Sequence, residues 1–198
     1  DTYSQLESET KKALKQLNLD PSQTAAAIIG ATGSIGRGSA KLISQSVSRL
    51  ILIGNPSHKE SSCKRLYRIA AEIYRHLIKL IKNNREFSSP SLGWKLSQLQ
   101  NKPDPAAPLK KFVDFARTTG EKNNLIKITT SIEKNLPEAD AAISATNTIK
   151  TLIKPSHLKT GAVICDISRP KNVSEKIDKA RSDVLVIDGG VIEVPGRP

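Results

Sequence analysis

The chain of 198 residues contains no methionine, only two cysteines and few aromatic residues. With only Cys63 and Cys165, a disulfide framework is excluded and a reducing compartment is favoured, so we expect a cytoplasmic protein. No apolar run approaches the ~18 residues of a membrane-spanning helix, and no N-terminal signal pattern is present. The missing methionine, the start at Asp1 and the loop-like end at Pro198 predict a fragment whose C-terminal continuation is missing.

Acidic residues are also few. The chain has 31 Lys and Arg but only 19 Asp and Glu, which gives a net charge of +12. Residues 58–111 hold 12 basic and 4 acidic residues (+8), whereas residues 125–198 hold 11 and 9 (+2). Such an excess predicts an anionic partner. Nucleic acid is disfavoured, because aromatic residues make up only 4% of the chain and no nucleic-acid-binding module is recognisable.

The remaining composition, with 37% hydrophobic residues, is that of a globular domain. Continuous apolar runs predict strands buried on both faces of a parallel sheet, and they alternate with segments of helical spacing. The predicted strands cover residues 24–29, 49–53, 125–129, 141–145, 162–167 and 184–188, and the predicted helices cover 34–47, 62–82, 109–118, 131–134 and 174–181. This order predicts a doubly wound α/β domain of the Rossmann type, with about six mostly parallel strands.

Two segments fall outside this alternation. Residues 3–19 have helical spacing and predict an N-terminal helix that, with its linker to residue 23, comes from a preceding region. Residues 83–108 are polar, hold four prolines and show no clear period, which predicts a long loop. We therefore expect a nucleotide-binding domain over residues 24–198, interrupted by a basic helical and loop insertion at 84–124.

The most specific motif is the glycine-rich segment over residues 30–36, which follows the first predicted strand and begins a helix. Glycines at this place let the backbone turn tightly and approach a pyrophosphate, which the free N–H groups of the helix N-terminus then bind. No Gly-Lys-Ser/Thr follows, so the turn is not a P-loop. The predicted cofactor contacts here are Gly30, Thr32, Gly33, Ser34, Ile35 and Gly36.

The residues after the second predicted strand distinguish the two nicotinamide cofactors. An NAD site usually carries an Asp or Glu there for the ribose 2′-hydroxyl, and this chain has none directly after the strand. Asn55 and Ser57 can hydrogen-bond a 2′-phosphate and Lys59 can neutralise it. The sequence therefore favours NADP(H) over NAD(H).

Three further clusters follow the last predicted strands. Because parallel strands end at one edge of the sheet, we expect these clusters to face one cleft and to contact the cofactor. They are Ser144, Ala145 and Thr146; then Asp166, Ser168 and Arg169; and finally Gly189 and Gly190.

Four stretches together resemble a known family: residues 27–36, 139–145, 165–173 and 188–193. They are similar to the cofactor domain of long-chain acyl-[acyl-carrier-protein] reductases and of related predicted amino-acid dehydrogenases, which share a shikimate-dehydrogenase-like domain. The resemblance implies NADPH-dependent reduction of an acyl thioester to an aldehyde through an acyl-cysteine. The segment 84–124 has no counterpart in that family.

The resemblance assigns no catalytic residue in this chain. The family's acyl-accepting cysteine lies beyond the Asp-Gly-Gly segment, and neither Cys63 nor Cys165 matches it. Cys165 falls within a buried-strand pattern, which predicts an inert core residue. No cluster of Cys, His or Asp has metal-ligand spacing.

Other functions remain open at this stage. They are a shikimate- or amino-acid-type dehydrogenase, a domain that senses NADP(H) without turnover, and nucleic-acid binding by the basic helix over residues 62–82. Acyl-carrier proteins are acidic, so the basic region 58–111 could dock one. The sequence leaves open whether the chain forms a homo-oligomer.

Overall fold

The computed structural model of the chain describes residues 20–146, 153–168, 171, 173 and 176–189. The predicted helix over residues 3–19 lies outside them. The main elements follow in chain order: β1 (Ala25–Ile29), α1 (Ser34–Ile43), β2 (Arg49–Ile53), α2 (Lys59–Lys82), α3 (Leu92–Ser97), α4 (Leu109–Phe115), β3 (Ile126–Thr129), α5 (Ile132–Asn135), β4 (Ala141–Ser144), β5 (Val163–Asp166), α6 (Lys176–Ala180) and β6 (Leu185–Asp188).

The six strands form one sheet in the order β3-β2-β1-β4-β5-β6, and every neighbouring pair is parallel. The strand order reverses between β1 and β4, which is the topological switch point of a doubly wound fold. The predicted α/β fold of the Rossmann type, with six strands, is therefore confirmed.

The central strands are apolar along their whole length because both faces of the sheet are covered. Alternate residues enter two separate cores: Ile28 and Leu52 join the cluster that packs under α1 and α2, whereas Ile29 and Ile53 join the cluster on the opposite face. All four side chains are nearly or fully buried. The sheet is thus the shared wall of two hydrophobic layers.

The long helix α2 begins earlier than the sequence predicts. A 3-10 turn at Pro56–His58 leads directly into Lys59, the first residue of the helix, whereas the sequence predicts a start at residue 62. Ser62 lies inside the helix instead, and its buried hydroxyl accepts a hydrogen bond from the Asn55 N–H at 2.9 Å. The side chain of Asn55 caps the preceding turn by accepting from the Ser57 N–H.

The segment predicted as a long loop contains an ordered helix, so that prediction is wrong for residues 92–97. Ser91 caps α3 by accepting from the Trp94 N–H, and Leu92 and Leu96 are fully buried in the core under α1 and α2. The Leu92 N–H also donates to the Val47 carbonyl at 2.7 Å. Six residues are too few to show a helical period against four nearby prolines, which explains the error.

Helix α4 confirms the helix predicted near residues 109–118, and a π-helical turn over Ala116–Gly120 continues it. It packs on α2 through aromatic contacts: Phe115 meets Tyr74 edge-on at 5.1 Å between ring centroids, and Arg75 lies over the Phe112 ring at 5.2 Å. Burial raises the pKa of Tyr74 above its usual value. The basic region 58–111 is therefore anchored to the domain core by apolar side chains.

No helix within the described parts of the chain is long and apolar enough to cross a membrane.

The buried leucine of α3 yields a test of this packing. Leu92→Ala should lower the free energy of unfolding by about 2–5 kcal/mol, because it removes a fully buried side chain and leaves a cavity. The matched control is Gln100→Ala, whose exposed side chain should change stability by less than about 0.5 kcal/mol. Urea unfolding monitored by circular dichroism measures both, and equal effects would show that residues 92–97 are not part of the core.

Candidate dinucleotide-binding site

The carboxyl ends of all six strands are aligned in one row. The register pairs Thr129 with Ile53, Ile53 with Ile29 and Ile29 with Ser144. It continues by pairing Ser144 with Asp166 and Asp166 with Asp188. The segments that follow β1, β2, β4, β5 and β6 therefore emerge side by side, and the residue clusters predicted as a site share one edge of the sheet.

The turn between β1 and α1 is built on close backbone contacts. Gly30 has a φ of +78°, a conformation that favours glycine, and a Cβ there would lie 2.5 Å from the Ala145 carbonyl oxygen. A Cβ on Gly36 would lie 2.4 Å from the Gly30 carbonyl oxygen. Both glycines are thus required by the fold itself, which presses α1 against β1 and β1 against the segment after β4.

Gly33 differs from these two glycines. Its φ of −77° and ψ of 163° suit any residue, and a Cβ would meet nothing closer than the Gly30 carbonyl oxygen at 3.4 Å, an ordinary contact. The residue is exposed, and a Cβ on it would lie 3.8 Å from the Ala145 carbonyl oxygen. Packing therefore does not demand a glycine here.

The N-terminus of α1 is suited to an anion. Gly33 is its N-cap residue and supplies no side-chain hydrogen bond, and the first turn carries no acidic residue. The first N–H groups of a helix have no acceptor within the helix, and the helix dipole makes this end partly positive. Ser34 and Ile35 are exposed at this end and Thr32 is half-buried, so the turn presents its backbone to solvent.

The side chains predicted as cofactor contacts after β4 and β5 form a buried polar network. The Ser144 and Ser168 hydroxyls are 2.8 Å apart, and the Thr146 N–H donates to the Ser168 hydroxyl at 3.3 Å. The Asp166 carboxylate accepts from the backbone N–H groups of Ser168 and Val173 at 3.0 and 2.9 Å. Ser144, Asp166 and Ser168 are each at most 2% exposed, so their side chains hold the first residues after both strands in place.

Asn55, Ser57 and Lys59 follow β2 and are all exposed. Gly54, directly after the strand, is buried, and a Cβ there would lie 2.5 Å from the Ser62 hydroxyl. No carboxylate directly follows the strand. The next one along the chain is Glu60, in the first turn of α2.

The remaining predicted contacts are placed in part. Gly189 follows β6, and a Cβ there would lie 2.6 Å from the Cys165 sulfur, so it packs closely on the end of β5. Arg169 and Gly190 lie outside the described residues. Cys165 is buried in the core as the sequence predicts, and Cys63 is partly exposed on α2. The described residues include no group of three or more His, Cys, Asp or Glu able to hold a metal ion.

Two features at or near this edge escaped the sequence interpretation. Lys171, in the loop after β5, forms an ion pair of 2.8 Å with Asp188 at the end of β6. Arg37 and Lys41 on α1 line a groove between α1 and α2. The sequence offers no local signal for either feature, because the partners are joined only by the tertiary fold.

The parallel sheet, the switch point and the glycine turn together define a Rossmann-type domain of the dinucleotide-binding class. The family model described as Shikimate / quinate 5-dehydrogenase matches residues 108–188, which extend from the start of α4 to the end of β6. The match supports a shikimate-dehydrogenase-like NAD(P)-binding domain and hence an oxidoreductase. The turn over residues 30–36 lies outside the matched segment, so it is independent evidence for the same class. The comparison with curated proteins gives no match.

The contrast between the glycines of the turn can be tested without a ligand. Gly36→Ala should lower the free energy of unfolding by about 1–3 kcal/mol, because the added methyl group is forced against the backbone of Gly30. Gly33→Ala should change stability by less than about 1 kcal/mol, since its conformation suits alanine and the smaller entropy of the unfolded alanine chain offsets the poorer N-cap preference of alanine. Thermal and urea unfolding compare the two variants, and a large loss for Gly33→Ala would mean that the fold, not a ligand, requires that glycine.

Proposed function

We propose that this chain is the NADP(H)-binding domain of an oxidoreductase, extending over residues 24–198 with the segment 84–124 as an insertion. The observation that carries the proposal is Gly33. It is the one glycine of the turn that neither backbone strain nor packing requires, and it lies beside the N-terminus of α1. A pyrophosphate crossing the turn at this point explains why a side chain is absent.

The residues present fit such a cofactor. The turn over residues 30–36 would hold the pyrophosphate through backbone N–H groups. The segment of Ala145 and Thr146, directly across from Gly30, would border the nicotinamide half. Ser144, Asp166 and Ser168 act as positioning residues for that border, because their side chains bind the protein. Direct contact by Arg169, Gly189 and Gly190 stays a prediction.

Preference for NADP(H) is proposed on the surroundings of β2. With no acidic residue directly after the strand, nothing there binds the 2′-hydroxyl of NAD in the usual way. The exposed Lys59 side chain offers a positive charge, and α2 begins at the same residue, so its partly positive end adds to that charge. Asn55 and Ser57 complete this subsite, and Glu60 is the nearby charge that opposes it.

For the reaction, we propose reduction of an acyl thioester to an aldehyde. The bound cofactor would supply the hydride, and the products are an aldehyde and a thiol. Support comes from the resemblance of four stretches, two of which, 139–145 and 165–173, lie inside the segment matched by the family model. The same match is equally compatible with a shikimate- or quinate-type dehydrogenase, which is our second candidate. The proposal assigns no catalytic residue to this chain.

An acidic acyl-carrier protein is the proposed source of the thioester. Region 58–111, with its net charge of +8, supplies the electrostatic attraction. A domain that senses NADP(H) without turnover is the third candidate, and the absence of an assigned catalytic base is its only support.

Cofactor preference can be measured by thermal shift. A saturating ligand at ~100 times its Kd stabilises by about 2.7 kcal/mol, which for a domain of this size is roughly 5–10 °C. NADPH should therefore raise the Tm more than NADH at equal concentration. Lys59→Ala should reduce the difference between the Tm shifts with NADPH and with NADH, because it removes the positive charge at the 2′-phosphate subsite.

The matched control is Lys134→Ala, which removes an exposed lysine from α5 and should leave the difference unchanged. Gly33→Leu should abolish the shift with both cofactors, because the side chain blocks the turn. Equal shifts with NADPH and NADH in the unmodified chain would overturn the NADP(H) assignment, and a retained shift in Gly33→Leu would overturn the role of the turn.

The substrate class is tested by turnover. With NADPH and a long-chain acyl thioester, the full-length protein that contains this domain should produce one aldehyde for each NADPH oxidised, measured by absorbance and by aldehyde trapping. Reduction of NADP⁺ by shikimate or quinate in the same assay would establish the second candidate instead. Firm NADPH binding without turnover of any of these substrates would support the sensing domain.

A further inference from the structure

A groove of about 630 Å³ runs between α1 and α2 on the outer side of the helix layer. It begins at Ser34, the first residue of α1, and follows both helices away from the glycine turn. The α2 side of the groove belongs to region 58–111, whose net charge the proposed function uses, but the groove itself has no part in that proposal. The lining residues are Ser34, Arg37, Gly38, Lys41, Ile69, Glu72, Ile73, Arg75, His76 and Lys79.

Each helix contributes a row of two cations to the groove. Arg37 and Lys41 are four residues apart on α1, and Arg75 and Lys79 are four residues apart on α2. Residues at this spacing lie on the same face of a helix, about 6 Å apart along its axis. The groove thus has a positive row on each side with the same repeat.

The positive charge of the groove is only partly neutralised. The one carboxylate in the lining, Glu72, is paired with Arg37 at 2.6 Å and lies 3.9 Å from Arg68. Arg75 is held in place over the Phe112 ring and donates to the Ala107 carbonyl. Among the described residues, neither Lys41 nor Lys79 forms an ion pair with a carboxylate.

A neighbouring histidine reports the same positive field. Burial, followed by the charges of Lys41 and Lys79, lowers the pKa of His76 below its usual value. The imidazole lies in the groove lining beside these lysines. The groove is therefore unfavourable to a further cation and favourable to an anion.

The floor of the groove is apolar. Gly38 has no side chain to fill the space, and Ile69 and Ile73, which are 6% and 1% exposed, close the floor beneath it. A partner that presents small or apolar groups flanked by negative charges therefore fits the groove. An acidic amphipathic helix has this composition, and its carboxylates four residues apart repeat at the spacing of the two basic rows.

We propose that the α1–α2 groove docks an acidic helix of a partner protein, with its carboxylates on Lys41 and Lys79, while Arg37 and Arg75 add to the positive charge of each row. A nucleic acid fits less well, because no aromatic side chain lines the groove for base stacking. This inference does not depend on the proposed reaction. It places the partner beside the first turn of α1, next to the proposed dinucleotide site.

The test uses the full chain and a fluorescent, acetylated and amidated helical peptide, rich in alanine and leucine, with glutamates at i and i+4 along one face. Anisotropy should show saturable binding, and the same peptide with glutamine at those positions should bind at least about tenfold more weakly. Lys41→Glu combined with Lys79→Glu should weaken binding of the glutamate peptide by about tenfold or more, because it reverses one charge in each row. Lys122→Glu combined with Lys134→Glu makes the same charge change at exposed positions outside the groove, and it should alter the affinity less than twofold.

Each alternative result has a definite meaning. If both double variants weaken binding of the glutamate peptide equally, the attraction is non-specific, and the groove is not the binding site. Failure of the glutamate peptide to bind, or equally tight binding of the glutamine peptide, overturns the proposal that the groove binds an acidic helix. Tighter binding of a single-stranded oligonucleotide, lost in Lys41→Glu/Lys79→Glu, replaces the proposed partner by a nucleic acid. NADPH thermal shifts of both variants should match those of the unmodified chain, so failure of this inference is distinguishable from failure of the proposed function.

Discussion

The contact between the backbones at Gly30 and Gly36 sets the geometry on which the candidate site depends. A Cβ on Gly36 would come within 2.4 Å of the Gly30 carbonyl oxygen, so only glycine lets α1 pack this closely on β1. That packing directs the N-terminus of α1 toward the carboxyl edge of the sheet. The positive φ at Gly30 and its proximity to Ala145 then bring the turn against the segment after β4. The N-terminus of α1 and the switch point of the sheet are thereby brought together.

A second constraint comes from the buried hydroxyls and carboxylate on the other side of the switch point. A polar side chain removed from water costs free energy unless it is hydrogen-bonded, so Ser144, Asp166 and Ser168 hold each other and the nearby backbone in a fixed arrangement. The first residues after β4 and β5, as far as Thr146 and Ser168, are therefore held in place before any ligand arrives. This preorganisation lowers the conformational entropy that these protein residues must lose when a ligand binds.

Local sequence patterns predicted the parts of the fold whose cause is local. Unbroken apolar runs such as Leu50–Ile53 predict strands covered on both faces, and the glycine turn between two such runs predicts the first βαβ unit. The row of strand ends then follows from the parallel sheet. The row of strand ends and the place of residues 30–36 beside it could therefore be predicted from the sequence alone.

What the sequence did not predict depends on neighbours distant in the chain. The sequence predicts that α2 begins at residue 62, but Ser62 lies inside the helix and its hydroxyl accepts from the Asn55 N–H. The six residues of α3 are too short for a period, and only the core they enter makes them a helix. Contact of the polar residues after β4 and β5 with a cofactor stays a prediction, and residue type and position alone do not reveal the hydrogen bonds that Ser144, Asp166 and Ser168 make within the protein.

The bare backbone at Gly33 also affects the free energy of the chain without a ligand. Glycine gives the unfolded chain more conformations than alanine would, and folding must give them up although no contact in the fold requires it. This entropy costs the ligand-free protein about 0.4–1 kcal/mol, which the preference of the N-cap position for glycine over alanine offsets in part. An alanine here would remove that entropic cost, and its side chain would occupy part of the space above the turn.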